Sequence, residues 1–337
     1  MFVSRILAPI TDRGYKPAMR TSNFCRFTVA TACGLALLGG CDKGNTVAPD
    51  AAPAEPAPTQ AEVVEPAEEA APEDLASLLP TILAAPHRTD ANRARDEFRH
   101  PAETLAFFGV TPQSTVVELW PGGGWYTEII APLLHDQGKL IVTGFDPKGE
   151  PAYYGTKQAI AMNEKITGQA EIFGKVETAI LGVDIELDKK GKVKKTTLRE
   201  DWTLAPEGSV DVVLTFRNSH GWFNNGQDAL IYGKAFAALK PGGVFGVVQH
   251  RAAEGADPKK TAENGYLPEA AVIASAEKAG FKLAEKSEIN ANANDTKDYK
   301  KGVWTLPPRL AEGDKDKERY TTIGESDRMT LKFVKPE

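Results

Sequence analysis

The segment 116–127 constrains the fold of this chain most, because it joins an apolar run to three consecutive glycines and then to a helical pattern. It reads Val-Val-Glu-Leu-Trp-Pro-Gly-Gly-Gly-Trp-Tyr-Thr. Gly122, Gly123 and Gly124 allow the backbone to approach a ligand closely, and the first N–H groups of the following helix lack partners within it. The segment therefore predicts the ligand-binding turn of an α/β sheet. The alternative is a tight turn that binds nothing.

Strands and helices alternate along most of the remaining sequence. Short apolar runs predict strands at residues 115–120, 139–145, 209–216, 244–249, 281–289 and 328–334. Helical patterns lie between several of these runs, and three more helices are predicted before the first strand. One of the three is predicted to run from an N-cap at Thr89 through Phe98. This alternation indicates an α/β fold, a Rossmann-like doubly wound and mostly parallel sheet with preceding N-terminal helices. Residues 183–187 and 192–198 predict a hairpin inserted near the third strand.

Acidic residues stand at the ends of the first two predicted strands. Glu118 lies at the exit of the first strand, where its carboxylate can accept hydrogen bonds from an amino or ribose group. Asp146 follows the second strand, the usual position of an acid that binds ribose hydroxyls. Ligands of such sheets bind outside the carboxyl ends of the strands, so both acids are predicted to face one ligand. For Asp146 the alternative is an exposed acid in the turn before Pro147.

These features resemble the class I S-adenosylmethionine-dependent methyltransferases over roughly residues 90–337. The glycine loop after an acid-tipped strand is similar to their first motif, and Asp146 to their ribose-binding acid. The Leu-Lys-Pro-Gly-Gly sequence of residues 239–243 is similar to the turn before their fifth strand. The resemblance implies a seven-stranded sheet, methyl transfer to an acceptor, and S-adenosylmethionine as the cofactor. It also implies that the cofactor is held by Glu118, Gly122, Gly123, Gly124 and Asp146.

The sequence also resembles a narrower family, and it differs from the class I pattern near the predicted cofactor site. Residues 118–128 and 215–220 together resemble a family of uncharacterised predicted bacterial methyltransferases. Trp120 and Pro121 stand where the class I family commonly has a glycine and a small residue, which implies a reshaped methionine end of the pocket. The acid that contacts adenine in that family has two candidates here, Asp184 and Asp201, and the sequence does not choose between them.

A polar group follows the strand that corresponds to the fourth strand of the class I fold. Arg217, Asn218 and His220 lie at the end of this strand, which in that fold faces the transferred methyl group. The resemblance implies that Asn218 orients an acceptor and that His220 takes a proton from it near neutral pH. His250 and Arg251 end the neighbouring strand and are predicted to border the same cleft. The alternative is that these side chains only satisfy loop backbones.

Two smaller groups keep two interpretations each. Trp222 and Phe223 either line an acceptor pocket or pack in the core. Arg93, Asp96 and Arg99 are spaced to share one helix face, where they close over the cleft or form solvated ion pairs.

The N-terminus has the order of a bacterial lipoprotein signal. Arg20 and Arg26 flank an apolar run at residues 27–38, which is shorter than the roughly 20 residues that a membrane-spanning helix needs. The run ends in Leu-Gly-Gly-Cys, which resembles a lipobox with Cys41 as the lipidated residue. The alternative is a short buried helix that ends in cysteine. The start codon is either Met1 or Met19.

Three regions follow from this pattern. Residues 1–41 are predicted to be the signal peptide, and residues 42–76 an Ala/Pro/Glu-rich tether too poor in bulky apolar residues to fold. Residues 77–337 are predicted to form the methyltransferase-like domain. The anchor implies a protein of the bacterial cell envelope that faces the periplasm, and Asp42 favours the inner membrane.

The composition limits the classes of partner and of metal site that the sequence supports. The net charge of −6 gives no basic surface for nucleic acid, so nucleic acid is not an expected partner. The methyltransferase resemblance and the lipid anchor on Cys41 together imply a small-molecule or envelope-component acceptor. All three cysteines precede residue 42, and the histidines lack metal-ligand spacing, so no metal site is expected. Export would place the domain where S-adenosylmethionine is not obviously supplied. Two alternatives therefore remain: an envelope binding protein that keeps the fold without catalysis, and a dinucleotide-dependent oxidoreductase, which the absence of a GxGxxG spacing disfavours.

Overall fold

A computed structural model of the protein describes residues 74–337; the predicted signal peptide and residues 42–73 of the predicted tether lie outside the described residues. The helices are α1 Leu75–Ala84, α2 Asp90–Arg93, α3 Asp96–Arg99, α4 Pro101–Phe107, α5 Thr127–Leu134, α6 Tyr154–Gly168, α7 Ala170–Phe173, α8 Ser219–Asn224, α9 Asp228–Ala238, α10 Pro258–Ala262, α11 Glu269–Lys278 and α12 Lys317–Ile323. The strands are β1 Thr115–Leu119, β2 Lys139–Gly144, β3 Glu177–Ile180, β4 Val183–Leu187, β5 Val193–Leu198, β6 Val210–Phe216, β7 Leu239–His250, β8 Lys282–Ser287 and β9 Arg328–Val334.

Seven strands form one sheet in the order β3-β2-β1-β6-β7-β9-β8. Neighbours from β3 to β7 pair in parallel, whereas β9 runs antiparallel to both β7 and β8. The predicted α/β, doubly wound and mostly parallel sheet is therefore confirmed, with the seven strands that the class I resemblance implies. The predicted hairpin is also confirmed, because β4 and β5 pair antiparallel as a separate two-stranded sheet.

The central strands are buried on both faces, as parallel strands covered by helices are. Every residue of β1 after Thr115 is buried, and so is every residue of β6 except Asp211. Alternate side chains feed two apolar clusters. Val116 packs with Ile129 and Ile130 of α5 on one face. The side chains of Val117 and Val213 pack on the other face, in the cluster that includes α9 and α11. This double burial fixes the strand ends that form the site.

Two local predictions were wrong. The predicted turn at residues 240–243 lies within β7, because the backbone of Lys335 bonds to Gly242 and Gly243 and extends the ladder. The predicted helix from Thr89 to residue 98 is divided into α2 and α3, although Thr89 does cap α2 by accepting the N–H of Asn92.

Among residues 74–337 no helix is long and apolar enough to cross a bilayer.

Candidate functional site

The acid at the end of β1 is enclosed by protein. Glu118 is 2% exposed, and the Thr127 hydroxyl donates to its Oε2 at 2.6 Å. Burial raises the pKa of Glu118 to about 7, since a charged carboxylate loses its hydration there, while the Thr127 bond and the charges of Lys165 and Arg217 oppose the rise. Glu118 therefore changes charge near neutral pH.

The glycine loop turns two of its residues toward a cavity and one toward a helix. A Cβ atom placed on Gly122 (φ +59) or Gly123 would meet nothing within 4 Å, so this face of the loop is open to a ligand. A Cβ on Gly124 (φ +76) would press on Met162 and Lys165 of α6. Gly124 thus permits packing of the loop on α6, not contact with the cavity.

Three cavities lie in a row along the carboxyl edge of the sheet. The main cavity, about 370 Å³, is lined by Glu118, Gly122, Gly123 and the ends of β6 and β7. The middle cavity, about 90 Å³, lies between the ends of β1 and β2 and shares Trp120, Pro121, Gly122 and Asn218 with the main cavity. The outer cavity, about 500 Å³, shares Phe145 and Leu181 with the middle one. The row forms one groove with a narrow centre.

Asp146 lies in the outer cavity, apart from the glycine loop. Its carboxylate is exposed and accepts the backbone N–H of Lys148 at 2.8 Å. Asp201 lines the same cavity, whereas Asp184 does not. Both Asp184 and Asp201 form ion pairs with Arg199, at 3.5 and 2.9 Å. Of the two adenine-contacting candidates, the structure therefore brings only Asp201 beside Asp146.

Trp120 narrows the centre of the groove. Its backbone is left-handed (φ +46), and its ring stands edge-on to Phe145, with centroids 6.0 Å apart, and to Trp222 at 5.1 Å. Asn218 holds this loop, because its Nδ2 donates to the carbonyls of Leu119 at 3.0 Å and Trp120 at 3.3 Å. The amide predicted to orient an acceptor is therefore engaged in positioning Trp120. Trp222 is buried in the apolar core, as its second interpretation expects.

The two predicted histidines meet in the main cavity. The rings of His220 and His250 have centroids 5.8 Å apart. Nδ1 of His220 faces the Gln249 amide at 3.3 to 3.5 Å, and Nδ1 of His250 lies 2.5 Å from the Ser326 hydroxyl. Burial lowers the pKa of both imidazoles, that of His250 strongly, and the nearby Arg217 charge lowers both further. Both rings are neutral at pH 7, and a neutral imidazole can accept a proton.

Arg251 does not reach the main cavity. Its guanidinium pairs with Asp327 at 2.9 Å and with Glu288 at 2.6 Å, and these bonds raise its pKa. The prediction that it borders the same cleft as His250 was wrong. Successive residues of a strand point to opposite faces, and β7 ends at His250, so the next side chain turns away from the cavity.

Several lining residues were not predicted from the sequence. Glu325 accepts from Arg95 at 2.6 Å, from Arg99 at 3.0 Å and from Arg328 at 2.9 Å. Trp304 stands edge-on to His220 at 6.0 Å. These contacts join segments up to 230 residues apart, and a local pattern does not encode such pairings. The one available signal was the acidic Glu-Ser-Asp run directly before the last strand.

The main cavity therefore combines a carboxyl of pKa near neutrality, an open glycine loop, two neutral imidazoles and an aromatic wall. This set can hold an amino group, accept a proton and exclude water from a reacting centre. Among residues 74–337 no cluster of three or more histidine, cysteine or acidic side chains is placed to bind a metal ion.

Comparisons with known proteins give structural similarity only. No protein-family model matches the chain, and no curated protein matches it in sequence. A SAM-dependent methyltransferase from Aquifex aeolicus is similar in structure, with 13% identity, 72% of this chain and 93% of that chain covered, and a TM-score of 0.43. The [4+2]-cyclase SpnF has 11% identity, coverage of 75% and 86%, and a TM-score of 0.47. Geranyl diphosphate C-methyltransferase from Streptomyces coelicolor, in complex with S-adenosyl-L-homocysteine, has 12% identity, coverage of 76% and 87%, and a TM-score of 0.46.

Proposed function

We propose that this protein transfers the methyl group of S-adenosylmethionine to a small-molecule or envelope-component acceptor. One observation carries the proposal: the open face of Gly122 and Gly123 lies beside buried Glu118, in a cavity that also contains two neutral histidines. A glycine loop and an acid at the end of a central parallel strand are suited to a ligand with an amino group and a ribose.

The residues of the groove fit the cofactor at both ends. Glu118, Gly122 and Gly123 would hold its methionine part, since an ammonium group beside Glu118 favours the ionised carboxylate. Asp146 would accept from the ribose hydroxyls, and Asp201 is the acid available to the base in the outer cavity. Gly124 serves the site indirectly, by letting the loop pack on α6.

The chemistry asked of the protein is modest. When bound, the cofactor supplies a methyl group already activated by its sulfonium, so the residues contribute mainly position and proton acceptance. His220 is the proposed base: Nδ1 faces Gln249, and Nε2 is left for the acceptor's proton. His250 is a second neutral imidazole beside it, because burial and the neighbouring His220 lower the pKa of His250. Asn218 positions the loop that carries Trp120. Arg251 has no part in this mechanism.

The same proposal locates the protein in the bacterial cell envelope. The basic, apolar and Leu-Gly-Gly-Cys order of residues 20–41 supports lipidation of Cys41, and Asp42 favours retention at the inner membrane with the domain facing the periplasm. No nucleic-acid partner is proposed. Metabolic labelling with a radioactive fatty acid tests the anchor: Cys41→Ser should abolish labelling, whereas Cys33→Ser, eight residues earlier, should retain it. Labelling that survives Cys41→Ser contradicts the lipobox.

The alternative function is an envelope binding protein that keeps the fold without catalysis. The narrow middle cavity favours this alternative, because Trp120 and Phe145 occupy the path between the glycine loop and Asp146. Under this alternative the outer and main cavities bind separate ligands, and no methyl group is transferred.

Calorimetric titration of the protein with S-adenosylmethionine, S-adenosylhomocysteine and NAD separates these functions. Methyl transfer predicts micromolar-range binding of the first two ligands and none of NAD. Asp201→Ala should weaken that binding, and Asp184→Ala is the matched control because the two acids share Arg199 but only Asp201 lines the groove. Absence of binding by the folded protein would refute methyl transfer, and NAD binding would favour the oxidoreductase.

A further inference from the structure

The main cavity has an excess of positive charge. Four arginines line it, Arg95, Arg99, Arg217 and Arg309, against two glutamates. One of these, Glu325, is shared with Arg328, which reaches it from β9. The other is Glu118, which burial keeps partly protonated near neutral pH. The lining therefore carries at least two unbalanced positive charges.

Two of the lining arginines, Arg217 and Arg309, have no carboxylate partner among residues 74–337. Arg309 is exposed to solvent, so the half-buried cation without a partner is Arg217. It follows β6 directly and is fixed by its left-handed backbone (φ +66) and by its N–H bond to the Val248 carbonyl at 2.7 Å. Among residues 74–337 no carboxylate pairs with its guanidinium and no side-chain or backbone oxygen accepts from it; Glu325 acts on it only from a distance. Burial lowers the pKa of Arg217 to about 10, so the group remains charged at neutral pH. A half-buried guanidinium without a carboxylate partner is a suitable contact for an anionic ligand.

The net charge of the cofactor does not compensate this charge. S-adenosylmethionine carries a sulfonium and an ammonium against a single carboxylate, so it brings further positive charge into the cavity. An anionic second ligand would supply this balance. The walls near Arg217 are also aromatic: Tyr126 and Phe216 stack with centroids 3.5 Å apart, and Trp304 stays 41% exposed at the mouth beside His220.

We infer that the acceptor is an aromatic acid, a hydroxyl-bearing ring with a carboxylate or phosphate that pairs with Arg217. This inference rests on the proposed methyl transfer. The acceptor's hydroxyl oxygen forms the new bond to the methyl carbon, the electrons of the broken carbon–sulfur bond stay on sulfur, and the hydroxyl proton passes to Nε2 of His220. The anion also offsets the cofactor's charge in the ternary complex, because a carboxylate or phosphate binds a guanidinium by charge-assisted hydrogen bonds.

Binding of simple probes tests the inference without turnover. The probes are 4-hydroxybenzoate, 4-hydroxyphenyl phosphate and the neutral 4-hydroxybenzamide, each titrated calorimetrically into the full-length protein. The carboxylate or the phosphate should bind at least about tenfold more tightly than the amide, as expected for one charge-assisted contact, and the stronger of the two identifies the anion. Arg217→Met should lose this preference, and Arg217→Lys should keep part of it. Arg319→Met, an exposed arginine that does not line the main cavity, is the matched control and should retain the preference in full.

Titration with S-adenosylhomocysteine in the same variants separates this inference from the proposed function. The expected result is that Arg217→Met leaves S-adenosylhomocysteine binding within about twofold of the parent, whereas anion binding falls about tenfold or more. Loss of S-adenosylhomocysteine binding in Arg217→Met would overturn the inference, because Arg217 would then hold the cofactor's carboxylate. Equal affinity for the amide and the anions, or no binding of either anion, would also overturn it. Arg217-dependent anion binding without any S-adenosylhomocysteine binding would refute methyl transfer and leave an anion site.

Discussion

Replacement of Glu118 by glutamine should change how the stability of this protein depends on pH. In the folded protein the pKa of Glu118 is about 7, whereas an exposed glutamate has an ordinary pKa of 4.5. The folded state therefore binds the proton more tightly than the unfolded state does. The contribution of Glu118 to the free energy of unfolding is therefore fully present below pH 4.5 and is lost as the pH rises through 7. The glutamine variant keeps the shape and the contact with Thr127 but cannot titrate.

The size of the effect follows from the pKa. One pKa unit corresponds to about 1.4 kcal/mol, so a rise from 4.5 to about 7 makes the ionised carboxylate cost roughly 3 kcal/mol in the folded protein. Between pH 5 and pH 8 the free energy of unfolding of Glu118→Gln should rise by about 2 to 3 kcal/mol relative to the parent. Other titrating groups, including the two histidines of the main cavity, contribute equally to both proteins and cancel in the difference.

Urea unfolding followed by tryptophan fluorescence at pH 5, 6, 7 and 8 measures this difference. A second variant sharpens the test: Thr127→Val removes the hydroxyl that lowers the pKa of Glu118, so the pH at which stability is lost should move upward. A difference between Glu118→Gln and the parent that stays constant from pH 5 to pH 8 would refute the reasoning, because Glu118 would then be ionised throughout.

Three further predictions concern the walls of the cavities. Trp120→Gly should raise the affinity for S-adenosylhomocysteine several-fold in calorimetry, because it widens the middle cavity. The lost aromatic packing should lower the free energy of unfolding by about 3 kcal/mol. Unchanged affinity would mean that Trp120 does not limit access of the ligand to the groove. His250→Gln should reduce the loss of stability between pH 7 and pH 5. Burial lowers the pKa of His250 in the folded protein, so below pH 6.5 only the unfolded chain takes up a proton at this residue. An equal loss of stability in melting scans of both proteins contradicts this prediction. Glu325→Gln should destabilise the protein by roughly 3 to 5 kcal/mol in urea unfolding, since three arginines lose their shared carboxylate. A smaller loss of stability than that caused by Glu177→Gln, at an exposed glutamate, would exclude a stabilising role for Glu325.

The sheet and its loop could be predicted because their signals are local. The apolar run of β1 and the glycines after it lie within residues 115–124, and the β4–β5 hairpin lies within residues 183–198. Such patterns report burial and backbone freedom directly. The 15-residue helix α6 gave a weaker signal, since only Gly155, Thr156 and Ala159 of it are buried. A helix that is mostly exposed has little apolar periodicity to detect.

The site could be predicted only in part, because its charges are arranged by long-range contacts. The positions of Glu118 and His220 follow from two neighbouring strands, because Glu118 lies near the end of β1 and His220 lies in α8, which comes soon after β6. The pairing of Glu325 with Arg95 and Arg99 depends on β9 entering the sheet far from α3 in sequence. Arg251 shows the same limit: its adjacency to His250 suggested a shared cleft, but Glu288 and Asp327 draw it to another surface.

The position of β9 has a consequence for the order of events in the cell. β9 is the last strand along the chain, yet it lies between β7 and β8, and β8 has no other partner in the sheet. The sheet therefore cannot close during synthesis until residues 328–334 have left the ribosome, because β8 must wait for a strand made after it. For the proposed export, this strand order means that β8 stays unpaired until the chain has been made as far as residue 334.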